Sequence, residues 1–162
     1  MAEHLVQTFE QQNVHELFFL RENLNSCLRR ENFNGALIIL RKLCLREDLD
    51  VDHFRNLGLL YQYCGRLDCS LRSLLCALRI DEVHASSHYT ISKQIKYQKH
   101  PSLAEKLKSV DLKLYENNQD RIKICFAKSN LFHQFGDYEA SAHWLERGNG
   151  LRLLDAGSDL CQ

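Results

Sequence analysis

The sequence predicts an all-α chain, a right-handed solenoid of antiparallel helix pairs with about four pairs. Three observations predict it. Helix breakers are scarce: 162 residues carry one proline, Pro101, and seven glycines, too few turns for an all-β fold and few enough interruptions for long helices. A pattern of aromatic, small and large apolar positions returns at a fixed spacing. The glycines that interrupt this pattern fall where one helix must stop and the next begin.

The pattern is clearest around Phe54, Leu57, Gly58, Tyr61, Gly65, Leu74, Ala77 and Leu78. That spacing resembles the consensus of the 34-residue tetratricopeptide (TPR) repeat, placing one unit at 51–84. Ser70 stands where alanine is usual and Glu82 where proline is usual. Sliding back by the same period gives 17–50, in which Leu20, Cys27, Ala36 and Leu40 take the matching places. Sliding forward gives 85–118. Here Ala104 falls on the small position, but Lys108 falls where a large apolar residue belongs. A three-residue slip then gives 122–155, in which Ser129, Phe132, Gly136, Tyr138, Ser141 and Leu145 restore the pattern.

The expected organisation is therefore a capping segment over 1–16, a repeat array over 17–155 and a frayed tail over 156–162. Helices are expected at 14–30, 33–46, 51–64, 67–80, 84–98, 101–116, 120–135 and 138–153. Gly65 and Gly136 are expected at helix C-termini, where a left-handed backbone is needed. Gly58 and Ser129 are small enough to let paired helices approach closely. Pro101 suits the first turn of a helix, where its missing N–H costs nothing.

Composition narrows the function. Hydrophobic residues make up 44% of the chain, against whole-chain disorder. Lys plus Arg equals Asp plus Glu, 21 each, so a dedicated nucleic-acid or membrane-surface binder is not expected. No apolar run is long enough to span a bilayer. The opening Met1-Ala2-Glu3-His4-Leu5-Val6 has an acid where a secretory leader needs base, so a cytoplasmic protein is expected. The seven cysteines include no paired C-x-x-C spacing. They are expected to be reduced, mostly buried fillers, with no zinc site. His84 and His88 share a helix face, but no third ligand accompanies them. No nucleophile elbow, HExxH or phosphate-cradling glycine loop is present, so neither an enzyme nor a cofactor is expected.

The second half bears a narrower resemblance. The run from Asp120-Arg121 through Phe126-Ala127, Gly136-Asp137-Tyr138 and Gly148-Asn149-Gly150-Leu151-Arg152 is similar to the last repeat of bacterial TPR-containing sulfotransferases. Ser87-His88-Tyr89 and Pro101-Ser102-Leu103 resemble the block before it. The resemblance covers about 51–153 and implies a repeat module whose relatives precede a sulfotransferase domain. Such a domain opens with an Arg-Ser-Gly-Thr loop, which this chain lacks.

In a TPR array the first helix of each pair lines the concave face. The inward positions give Arg21 and Asn25 in the first unit, and Arg55, Asn56, Leu59 and Tyr63 in the second. They give Tyr89, Lys93 and Lys96 in the third, and Lys123, Phe126 and Asn130 in the fourth. Bases outnumber acids there and aromatics lie between them. The expected partner is a protein or an extended peptide bearing carboxylates. Arg21, Asn25 and Asn56 also match the spacing of the carboxylate clamp of chaperone-binding repeats. The two further cations of that clamp are replaced by Ser86 and Thr90, which removes its grip on a double carboxylate.

Overall fold

The structure is a computed structural model. It describes the backbone of residues 2–46 and 50–159 and the side chains of residues 15–45 and 50–155. The helices are α1 (Ala2–Arg29), α2 (Phe33–Arg46), α3 (Val51–Tyr63), α4 (Leu67–Ile80), α5 (Ala85–Gln94), α6 (Pro101–Ser109), α7 (Asn118–Gln134) and α8 (Tyr138–Asp159). Single 3-10 turns at Tyr97–Lys99 and Leu112–Leu114 complete the fold. The described residues contain no strand.

Three hairpins share one turn. After α3, Gly65 takes φ 71°, its N–H donates to Gln62 O at 2.9 Å, and Arg66 N–H donates to Tyr61 O at 2.8 Å. This pair of bonds satisfies helix-end carbonyls and needs a left-handed residue. Gly136 repeats it after α7, at φ 79°, with Asp137 N–H on Phe132 O at 3.1 Å. After α1 the same bonds run from Glu31 to Leu28 O and from Asn32 to Cys27 O, and there a glutamate holds φ 55°. The residue after the left-handed one opens the next helix. Asn32 Oδ1 accepts from Gly35 N at 3.0 Å and Asp137 Oδ1 from Ala140 N at 3.0 Å. Arg66 makes no side-chain cap.

Helices adjacent in sequence pack against one another through α5, and α5 then packs along α7, which pairs with α8. Among the described residues two apolar clusters result. Leu24, Leu37, Leu40, Leu43, Leu57 and Leu60 join α1, α2 and α3. Leu74, Leu78, Ile91, Tyr97, Leu107, Ile124 and Leu131 join α4 to α7. Each fully buried leucine or isoleucine stabilises the array by about 1.5–3 kcal/mol before entropy is counted. Gly58 is buried, and a Cβ placed on it would lie 2.7 Å from Leu74 Cγ. The expected close crossing of α3 and α4 is therefore present. Ser129 and Ser141 close the equivalent crossing of α7 and α8, with their hydroxyls 3.1 Å apart.

The third pair departs from the expected helices. The helix predicted over 84–98 ends at Gln94, and the one predicted over 101–116 ends at Ser109. Gln134 explains the first break. Its side-chain oxygen accepts from Tyr97 N at 2.8 Å, and its amide donates to Ile95 O at 3.1 Å, replacing helical bonds that the chain gives up there. The large apolar place expected at position 108 is filled instead by its neighbour Leu107, which is fully buried. Lys108 lies at the surface, its ammonium 2.8 Å from Glu105. Pro101 does sit in the first turn of α6.

Other expectations also need correction. The helical segment expected over residues 1–12 and the helix expected to begin at residue 14 are one helix, unbroken from Ala2. The helix expected to end at 153 continues to Asp159, into the segment expected to fray, of which residues 160–162 lie outside the described residues. Of the cysteines expected to be mostly buried, only Cys125 is. Cys27, Cys44, Cys64, Cys69 and Cys76 are half-buried, all of them free thiols, and Cys161 lies outside the described residues. Cys27, Cys44 and Cys64 pack, partly buried, against the outside of the first apolar cluster.

Candidate functional site

The helix pairing of α5 with α7 assembles the most connected part of the expected groove. Tyr89 and Phe126 meet there with ring centroids 6.4 Å apart and planes tilted by 43°. The Lys93 ammonium lies 3.9 Å from the Tyr89 ring centroid, a distance at which the ring quadrupole attracts it. Lys123, one turn before Phe126, is 2.7 Å from Asp120 Oδ1. Burial pushes the Asp120 carboxyl up, but hydrogen bonds from Lys123 and Asn117 prevail and hold it below the usual carboxylate value.

Phe126 owes its position to α8. A Cβ on Gly148 would lie 2.8 Å from Phe126 Cε1 and 3.1 Å from Cys125 Cβ. Glycine thus lets the ring approach the α8 backbone closely. Beyond it a cleft of 740 Å³ opens, lined by Tyr89, Gln119, Ile122, Lys123, Phe126, Asn149, Arg152, Leu153 and Asp155. Clefts of about 300–1,000 Å³ are the usual size for binding a ligand. A side-chain hydrogen bond from Gln119 to Asp155 closes one edge.

The other candidate residues are placed differently. Arg55 donates to Asn56 Oδ1 at 2.7 Å, and its buried Nε has no hydrogen-bond partner. Near it His84 Nε2 lies 3.7 Å from Asp52 Oδ1. Asp52, Asp81 and Asp120 all act on His84, so acids temper the basic surface more than the count of inward positions suggests. Leu59 is half-buried. Tyr63 is 77% exposed and stacks on Phe33 with centroids 6.0 Å apart, which ties it to the seam of α2 and α3. Lys96 is exposed and precedes the first 3-10 turn. Asn130 donates to Ser92 Oγ at 3.1 Å, and so braces α5 on α7. Arg21 and Asn25 are exposed on α1 and take no part in the cleft. The clamp position Thr90 is buried and donates to Ser86 O at 2.8 Å.

His84 and His88 are packing groups. His88 Nε2 is 2.8 Å from Glu82 O and His84 Nδ1 is 2.8 Å from Ser87 Oγ. Burial holds both imidazoles below their ordinary pKa. Among the described residues no group of three or more His, Cys, Asp or Glu could hold a metal ion, and no helix is long and apolar enough to cross a membrane.

Inward periodicity on the first helices finds Tyr89, Lys123 and Phe126. It misses Asn149, Arg152 and Leu153, because these enter the cleft from a second helix. The signal for the first two lay in the Gly148-Asn149-Gly150-Leu151-Arg152 ending, which the resemblance singles out without giving it a place in space.

No family model matches the chain, and no curated protein matches it. Among solved structures, the chain is similar to the crystal structure of MamA, a TPR-like helical protein. The TM-score is 0.65 at 12% identity, over 93% of this chain and 86% of that one. At that identity the likeness shows the fold alone, an α-solenoid of helix pairs.

Proposed function

We propose that the chain is a protein-interaction module that holds an acidic, extended peptide or a partner domain on the face formed by its first helices. The observation that supports this is the joint placement of Tyr89, Phe126, Lys93 and Lys123 on adjacent α5 and α7. Rigid aromatics supply contact area at low entropy cost, and long cations pair with carboxylates on an otherwise neutral chain. The reading involves no catalytic step and no cofactor. The free thiols suit a reducing compartment, in keeping with a cytoplasmic protein.

Selection of peptides from a random display library on the purified chain tests it. Selected peptides should be enriched in Asp and Glu, and their affinity should fall with salt, because screening acts beyond about 8 Å at physiological ionic strength. Arg55→Glu with Lys93→Glu should abolish binding at unchanged helicity. Arg41→Glu with Arg72→Glu, exposed on α2 and α4, is the control. If only the control pair weakens binding, the site is on the opposite face.

A second reading is favoured by one observation, the seating of Gly148 beneath Phe126. That gives a structural reason for the glycine on which the sulfotransferase resemblance rests. On this reading the array is the non-catalytic part of a sulfotransferase and presents substrate to a separate catalytic domain. An Arg-Ser-Gly-Thr loop encoded downstream would favour it.

A further inference from the structure

The second helices are not alike. α2 and α4 have 14 residues each and α8 has 22. The added length carries Arg152 and Leu153 beyond Gly148 and makes one wall of the 740 Å³ cleft. The opposite wall is α7, and Tyr89 of α5 completes the floor. The surface so formed has two chemistries side by side. Tyr89, Ile122, Phe126 and Leu153 are apolar, and Leu153 is 75% exposed. Arg152 is a cation with no ion-pair partner among the described residues. Lys123, by contrast, is already matched by Asp120, and Gln119 donates to Asp155.

We propose that this cleft is the anchor pocket of the module, and that it takes one large apolar side chain of an extended peptide next to a carboxylate. The apolar side chain lies between the Tyr89–Phe126 pair and Leu153. The carboxylate meets the Arg152 guanidinium, whose planar fork suits two oxygens. Asn149, at the cleft wall, offers an amide donor and acceptor that match a peptide group. The volume accommodates more than a single side chain, so neighbouring peptide residues are enclosed as well. The proposal rests on the interaction reading above and narrows it to one end of the array.

Fluorescence anisotropy with labelled short peptides tests it on the whole chain. One peptide carries a central Glu-Phe-Glu, a second has the phenylalanine replaced by serine, and a third has both glutamates replaced by lysine. An oligothymidylate is the fourth probe. The first peptide should bind, and the second and third should bind at least about tenfold more weakly. Arg152→Glu and Leu153→Asp alter exposed side chains, and each should weaken the first peptide by about tenfold or more with melting unchanged. The proposal is overturned if the first peptide does not bind, or if it binds equally to both variants. It is also overturned if the oligothymidylate binds with the same sensitivity to them. Binding that ignores Arg152 and Leu153 but is lost in the Arg55→Glu, Lys93→Glu variant removes the anchor pocket and leaves the broader groove reading standing.

Discussion

The ammonium of Lys128 on α7 donates to Val110 O at 2.7 Å and to Lys108 O at 3.0 Å, so that one helix caps another. These carbonyls close α6, whose last turn has no helical donor for them. The cation also suits the negative end of the α6 dipole and lies 4.6 Å from the Trp144 ring centroid. Lys128→Met keeps the apolar stem and removes both bonds. It should cost about 1.5–3 kcal/mol, the usual loss for buried hydrogen bonds to a charged group. Denaturant unfolding checks this, and a variant as stable as the parent would show that water satisfies α6 equally well.

Glu31 should be replaceable with profit. Its φ of 55° occupies the place that Gly65 and Gly136 take in the other two turns, and a side chain there costs about 1–2 kcal/mol. Glycine returns part of that gain through its freer unfolded state, by about 0.4–1 kcal/mol. Glu31→Gly should therefore raise stability by a few tenths to about 1 kcal/mol. The reverse changes, Gly65→Ala and Gly136→Ala, should destabilise although a Cβ at either place meets nothing within 4 Å. The penalty would be conformational alone, and thermal melts of the three variants compare it directly.

The missing cap at Arg66 gives a related expectation. Asn32 and Asp137, in the matching places, bond to the third N–H of the helix they open, whereas Arg66 does not. Arg66→Asp should stabilise by about 0.5–2 kcal/mol. No gain in melting temperature would mean that Asp68, in the first turn of α4, already satisfies that terminus.

These turns show which parts of the molecule were legible beforehand. Turn and crossing positions depend on residues a few places apart, so Gly58, Gly65, Gly136 and Pro101 disclosed them. The breaks at Gln94 and Ser109 depend on Gln134 and Lys128, side chains 40 and 19 positions further along the chain, and no local pattern carries that information. Ser70 is similar. Its small size fits the repeat, yet its hydroxyl bonds to Gln94 at 3.1 Å across the next helix, which spacing alone does not foretell. Within the candidate site, periodicity picked out the rings and bases of α5 and α7. It could not supply Arg152 or Leu153, because repeat logic gives every second helix one length and α8 exceeds it.

Gly58 and Gly148 should respond unequally to alanine. Both gain about 1 kcal/mol of helix propensity, and both bring a methyl group within 3.0 Å of a side chain. Leu74, which faces Gly58, is fully buried and cannot retreat. Phe126, which faces Gly148, is half-buried at an open cleft and can. Gly58→Ala should therefore show a net loss of about 1–3 kcal/mol, typical of overpacking. Gly148→Ala, whose Cβ also comes within 3.1 Å of the buried Cys125 Cβ, should lose less stability than Gly58→Ala while moving the Phe126 and Tyr89 ring signals in NMR spectra. Equal losses would mean that the α7–α8 contact is as rigid as the core.

Acid should loosen the third helix pair before the carboxylates titrate. His88 is buried and donates to Glu82 O at 2.8 Å. Burial pushes its pKa below the ordinary 6.5, the Glu82 carbonyl and Asp81 partly oppose this, and His84 and Lys106 add to it. His84 is depressed for the same leading reason, with Asp52 and Asp81 opposing. In the window between the folded and unfolded values, the unfolded chain binds more protons. Stability therefore rises with pH there. It is complete above the unfolded value and falls as the pH drops from about 6.5 toward 5, where most carboxylates are still ionised. His88→Gln retains an N–H for Glu82 O and cannot take up that proton, so its melting temperature should depend less steeply on pH over this range. Parallel melting curves for the parent and the variant would place the acid sensitivity elsewhere in the chain.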